Sequence, residues 1–160
     1  MSFRDDDSWT AWFMSMTRLT AGGSSCLRRH VGCVITRPDG FVVSCGYNHI
    51  PRPAEACGVC RRENYASGDR LDLCHAVHAE MDAIAHAARR GLSVEGCTAY
   101  VSVFPCVTCA GVLIESGIDR VIVGDGYAGA ADSAELFRRA GYEVIPHDTG
   151  EYSFGIVRRK

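Results

Sequence analysis

His78-Ala79-Glu80 and Pro105-Cys106-Val107-Thr108-Cys109 are the segments of this chain whose residue types and spacing could do chemistry. Together they offer one imidazole, two thiolates and one free carboxylate. A zinc centre that works on water takes three protein ligands and leaves a fourth position open. His78, Cys106 and Cys109 supply that count. Two thiolates balance the charge of Zn2+ and a neutral imidazole adds none, so the pattern predicts a catalytic zinc whose water ionises near neutral pH. Glu80 lies just beyond His78, able to face that water without ligating the metal, and its expected role is proton shuttle. A lone Cys-x-x-Cys or His-x-Glu says little, but the combination is specific. A closed structural zinc site would want a fourth protein ligand, and none stands beside these three.

The elements that must position these residues follow from local pattern. Residues 79–88 are rich in Ala, Met and Ile and run towards Gly91, which predicts a helix opening at His78. Residues 106–115 follow Pro105 and stop before Gly117, predicting a second helix opening at the thiols. Helix N-termini carry unpaired N–H groups and partial positive charge. That lowers thiol pKa values and favours metal binding.

Around them, Trp9, Trp12, Phe13, Met16 and Leu19 keep helical spacing after the acidic turn Asp5 to Asp7. Residues 31–36 and 41–47 read as strands joined through Pro38-Asp39-Gly40, a hairpin. Residues 49–73 form a long polar stretch without a period, of the kind that is functional or fastened. Strands are expected at 98–103, 120–123 and 143–145, and a further helix at 132–140. The order predicts a three-layer α/β/α fold with a mixed five-stranded sheet. The glycines of Gly124-Asp125-Gly126-Tyr127-Ala128-Gly129 suggest a mobile segment near the site.

At 160 residues the chain reads as a single domain, 1–160, large enough for a real core. Its apolar fraction of 47% and charged fraction of 22% are those of a soluble globular protein. No apolar run is long enough to span a membrane and no signal-peptide pattern opens the chain, so the expected location is cytoplasmic. The net charge is −2, and basic residues come as scattered pairs such as Arg28-Arg29 and Arg61-Arg62, the usual dress of solvated faces. No concentrated basic stripe marks a nucleic-acid polymer as partner, and a small substrate fits better.

The nine cysteines argue for metal before disulfides in a cytosolic setting. Cys33, Cys45 and Cys97 lie in apolar runs and read as small core residues. Cys57-x-x-Cys60, with Cys74 further on and Cys26 before the first strand, predicts a second, structural zinc that fastens the long loop; His75 is the rival fourth ligand.

These residues resemble the deoxycytidylate deaminases of the zinc-dependent cytidine deaminase superfamily, whose signature is H-x-E…P-C-x-x-C. The similarity runs through Arg29-His30-Val31-Gly32-Cys33-Val34-Ile35, Gly46-Tyr47-Asn48, His78 to Ile84, Tyr100 to Cys109, Ser116 to Val121, and Tyr127. The resemblance implies hydrolytic deamination of dCMP to dUMP, with Glu80 moving the protons, in an enzyme that is often a homo-oligomer, from dimer to hexamer. It further implies that Asn48 contacts the sugar, that Ala79 N–H and the Ser102-Val103-Phe104 segment meet the pyrimidine, and that Tyr127 lies near base or sugar. The loop cysteines resemble those of the subgroup with an additional structural zinc. Arg28 and Arg29 are candidates for a phosphate. Two positions depart from the family pattern: Asp82 stands where Asn is usual, and His49 where Gly is usual. A carboxylate near the pocket would disfavour a phosphate or need a basic partner.

Three other readings compete. One is a deaminase of another aminated heterocycle, such as a modified cytosine nucleotide, a free nucleoside or a guanine-type base, since pocket contacts set substrate choice. A zinc-stabilised module without turnover is disfavoured by Glu80. An RNA-editing deaminase is disfavoured by the acidic net charge.

Overall fold

Val34, Tyr100 and Ile122 stand side by side across three neighbouring strands and are buried in one core. Cys33, Ile35, Ala99, Val101, Val121 and Val123 alternate with them and belong to a second core. A sheet covered on both faces requires this period-2 division. The computed structural model describes residues 7–126, 130–146 and 154–159. Within it run α1 (Asp7–Ala21), β1 (Gly32–Thr36), β2 (Val42–Tyr47), a 3-10 turn (Leu71–Leu73), α2 (Ala79–Arg89), β3 (Thr98–Val103), α3 (Val107–Glu115), β4 (Arg120–Asp125), α4 (Ala130–Arg139), β5 (Tyr142–Pro146) and β6 (Phe154–Arg158).

The sheet order is β2-β1-β3-β4-β6-β5. β3 and β4 pair in parallel and the remaining neighbours are antiparallel. The parallel pair is joined through α3, as a crossover must be. Phe13 and Met14 of α1 close the first core over Val34, Tyr100 and Ile122. Ala83, Ala87, Ala110, Leu113, Ala134 and Phe137, from α2, α3 and α4, close the second. The expected three-layer α/β/α arrangement with a mixed sheet is therefore observed.

The sheet has six strands, not the five expected. β6 lies between β4 and β5, pairing Val121 with Ile156 and Val144 with Ile156. Phe154-Gly155-Ile156-Val157-Arg158 is short and carries a glycine, which weakens strand propensity. Its commitment comes from insertion between two strands and full burial of Ile156, a nonlocal cause that local pattern does not display.

Two glycines set how closely helices lie on the sheet. A Cβ at Gly46 would fall 2.3 Å from Ala83 N and 2.5 Å from Ala79 O, so the opening turns of α2 press directly on β2. A Cβ at Gly32 would fall 2.1 Å from Thr17 O, which seats α1 on β1. The long polar loop returns to its start through a bridge between His49 and Val77, with Val77 N–H donating to His49 O at 2.9 Å. That bridge delivers His78 to the mouth of α2.

Candidate metal and active site

His78 is the N-cap residue of α2, in extended backbone at φ −77° and ψ 157°, and Cys106 is the N-cap residue of α3 at φ −70° and ψ 168°. Neither side chain caps its own helix. Each is instead turned towards the other: Cys106 Sγ and Cys109 Sγ both lie 3.4 Å from His78 Nδ1. Among the described residues these three form a group whose ligand atoms all lie within 4.8 Å of one another. Two helix N-termini converge on them, so backbone N–H groups and both dipoles favour negative sulfur.

The thiols share their protons unequally. The hydrogen bond from Cys109 is the main cause that lowers Cys106 to about 4, against a burial that opposes it. Cys109 is pushed up by that same sharing and by burial. His78 is raised, chiefly by its hydrogen bond with Cys106. One imidazole and two thiols gathered this closely, with one sulfur already anionic, are a donor set that fits a tetrahedral Zn2+ with a position to spare.

Glu80 follows in the first turn of α2 and is 4% exposed. Burial raises its carboxyl above the ordinary carboxylate range. It lines a cavity with Ala79, Val103, Phe104, Asn48 and Arg62, to which His78 and Cys106 also contribute. The site thus lies where β3 ends and where α2 and α3 begin.

The other expected contacts are distributed unevenly. Ala79, Val103 and Phe104 reach the cavity. Ser102 does not line it; its Oγ accepts the Gly32 N–H at 3.0 Å, since Ser102 shares a face with Tyr100 rather than with Val103. Asn48 is 8% exposed, and its amide orientation is fixed by its partners. Oδ1 accepts from Val31 N–H and Nδ2 donates to Arg29 O, both at 2.8 Å. One Nδ2 hydrogen remains for a ligand. Tyr127 lies outside the described residues, as do Ala128 and Gly129 of the glycine-rich segment.

Cys26, Cys57, Cys60 and Cys74 border a second cavity, together with His75. Among the described residues no three of them draw as close as the His78 group. His75 Nε2 receives a hydrogen bond from Arg61 at 2.8 Å. Arg28 donates to Arg62 O and, at 2.6 Å, to Tyr65 O. Arg61 is solvent-exposed as expected of a basic pair, but Arg62 is buried. Nothing local in Cys60-Arg61-Arg62-Glu63 separates the two arginines, and only the closure of the loop does.

Residues 7–125 match the family described as the cytidine and deoxycytidylate deaminase zinc-binding region. The chain belongs to that family. It is 34% identical over 139 residues to the deoxycytidylate deaminase of Saccharomyces cerevisiae, covering 86% of this chain and 44% of that protein. It is 37% identical over 141 residues to the deoxycytidylate deaminase of Schizosaccharomyces pombe, covering 86% and 43%. The chain therefore spans less than half the length of these two relatives. ComE operon protein 2 of Bacillus subtilis is 35% identical over 155 residues, covering 96% of this chain and 78% of that protein. In fold, the dCMP deaminase of cyanophage S-TIM5, solved with dCMP and dUMP, superposes with a TM-score of 0.73 at 20% identity, over 86% of this chain and 96% of that one.

Proposed function

We propose that the protein is a zinc-dependent hydrolase that converts dCMP to dUMP with release of ammonia. The observation that carries this reading is a buried carboxylate, Glu80, in the cavity on which His78, Cys106 and Cys109 converge. The deoxycytidylate deaminase relatives support the choice of substrate. His78, Cys106 and Cys109 would hold the metal, and bound zinc supplies Lewis acidity that makes water a nucleophile near neutral pH. Glu80 takes a proton from the attacking water and gives it to N3 of cytosine, then takes the second proton from the oxygen now on C4 and gives it to the amino group as the C4–N bond breaks. The water oxygen ends on C4, one of its protons on N3 and the other on ammonia. A carboxyl raised by burial suits a group that must return the proton it takes.

Ala79 N–H, at the start of α2, is proposed to meet the base, with Val103 and Phe104 as walls and Ser102 as part of their segment. Asn48 offers its remaining amide N–H to the sugar, and Tyr127 is proposed near base or sugar. A second, structural zinc is proposed on Cys26, Cys57, Cys60 and Cys74. The reading also takes residues 1–160 as one deaminase domain, working in the cytoplasm as a homo-oligomer between dimer and hexamer. Trp9, Trp12 and Leu19 of α1 are 40%, 50% and 81% exposed and would be natural contacts in such an assembly.

The test is a substrate panel of dCMP, CMP, deoxycytidine, cytidine, 5-methyl-dCMP, adenosine and guanine, read by absorbance and ammonia. Zinc-loaded protein should turn over dCMP with one ammonia per dUMP. Glu80→Gln should keep its zinc and lose at least about a hundredfold in rate. A Gln variant of full activity, or a zinc-loaded wild type inert towards dCMP, would overturn the reading.

A further inference from the structure

We propose that Arg62 recognises the 5′-phosphate, and so makes this site select a nucleoside monophosphate over the free nucleoside; the proposal rests on the cytosine-nucleotide reading above. Arg62 is 9% exposed and lines the cavity that holds Glu80 and His78. Its Nε donates to Asp69 O at 2.7 Å. Neither terminal nitrogen has a hydrogen-bond or ion-pair partner among the described residues, and neither is sealed from the cavity as a buried unsatisfied atom. Removing a guanidinium from water without an anion is costly. An arginine kept in that state beside a reaction centre is poised for an anion that arrives with the ligand.

The geometry narrows the anion. The Nε bond to Asp69 O fixes the plane of the guanidinium and leaves its two-nitrogen end free. That edge matches two oxygens of a phosphate monoester in a bidentate pair. Among the described residues three arginines line the cavity and Glu80 is its sole carboxylate. Arg28 is already engaged: it donates to the backbone oxygens of Arg62 and Tyr65, so it fixes the segment that presents Arg62. Arg29 is exposed and sits at the rim. Asp82, which could have repelled a phosphate, does not line this cavity. Ser67 and Gly68, from the same loop as Arg62, complete its wall.

The experiment compares binding of dUMP and deoxyuridine by calorimetry, and of dCMP and deoxycytidine by kcat/KM, in zinc-loaded wild type, Arg62→Gln and Arg62→Lys. Wild type should favour the phosphorylated member of each pair. Arg62→Gln should cut that preference by about 10- to 100-fold, the loss of a charge-assisted bidentate pair. The loss should fall on KM rather than kcat. Arg62→Lys, which keeps the charge but not the fork, should lose part of it. Zinc content and deoxyuridine binding report that the loop has folded; should Arg62→Gln lose them, the preference in Arg62→Lys decides. An undiminished preference in the variants would overturn the role of Arg62, as would a wild type that does not prefer the phosphorylated ligand. A wild type that prefers dUMP through Arg62 yet fails to deaminate dCMP would overturn the reaction and leave the phosphate site standing.

Discussion

His49 Nε2 lies 3.0 Å from Asp82 Oδ1, and both side chains are nearly out of solvent, at 12% and 8% exposure. These are the two positions at which the sequence departs from the pattern of its resembled family, and they are partners. Asp82 sits on α2 and His49 just beyond β2, so the pair ties the helix that carries Glu80 to the strand beneath it. Asp82 Oδ2 also accepts Tyr47 N–H at 3.2 Å, and His86 Nε2 stands 3.6 Å from Oδ1. The basic partner that a carboxylate here requires is thus supplied by the same chain, away from the cavity lined by Glu80.

A double-mutant cycle should expose this coupling. His49→Ala leaves a buried carboxylate with only a distant imidazole and a single backbone donor, and should cost about 2–4 kcal/mol. Asp82→Asn keeps the shape and an acceptor for Tyr47 N–H, and should cost less. With both changes the losses should fall short of additive by at least about 1 kcal/mol. Urea unfolding measures all four proteins, and additive losses would mean that the pair contributes no specific interaction.

The grouping of His78, Glu80, Cys106 and Cys109 was legible because each half is local. His78 and Glu80, and Cys106 and Cys109, are separated by one or two residues, and each pair opens a helix whose start is written in its neighbours. Ala79, Val103 and Phe104 came with them. The residues read less well are those whose environment is set at long range. β6 escaped because a short glycine-bearing strand becomes one only between two others. Arg62 read as solvated because its burial depends on a loop folding back onto its own base. The direction of Ser102 follows from a register that sequence alone does not index. The pairing of His49 with Asp82 needed α2 lying on β2, which in turn depends on Gly46.

Gly46 and Gly111 should respond to alanine in opposite directions. At Gly46 the new methyl would meet the backbone of α2, which cannot rotate aside, and overpacking of this kind costs about 1–3 kcal/mol. Because the collision is with Ala79 and Ala83, zinc affinity at His78 should weaken in the same variant. Gly111 lies within α3, where an added Cβ meets nothing within 4 Å. Alanine there should stabilise by about 0.5–1 kcal/mol through helix propensity. Thermal melts with zinc titration distinguish the two, and a stable Gly46→Ala would contradict the packing.

Zinc uptake should release protons. In the metal-stripped protein at pH 7, Cys106 with its pKa of about 4 is already a thiolate, whereas Cys109 is raised and keeps its proton. His78 is raised as well, chiefly by its hydrogen bond with Cys106. The Cys109 proton is bound only in the metal-free state, so affinity must rise with pH, by at least about one log unit per pH unit near neutrality. Calorimetry in buffers of different ionisation enthalpy counts the protons. Two sulfurs both protonated before zinc binds, or both already ionised so that neither gives up a proton, would contradict the unequal sharing.

The loop cysteines make a prediction about metal stoichiometry. Cys26, Cys57, Cys60 and Cys74 all border one cavity, and the loop that carries Cys57, Cys60 and Cys74 holds little secondary structure beyond the turn Leu71–Leu73. A closed four-ligand zinc would tie that loop to the start of β1 and would contribute folding energy directly. Wild-type protein should then carry two zinc ions per chain by elemental analysis, and Cys57→Ser with Cys60→Ser should carry one. Since Arg62 lies between Cys60 and Cys74, the doubly substituted protein should also lose part of its preference for dUMP over deoxyuridine while Glu80 still supports turnover. His75→Ala separates the two ligand sets: if His75 rather than Cys26 completes the site, that single change removes one zinc and Cys26→Ser does not. One zinc per chain in the wild type, with all four thiols titratable, would show that the loop is held by hydrogen bonds such as those of Arg28 alone.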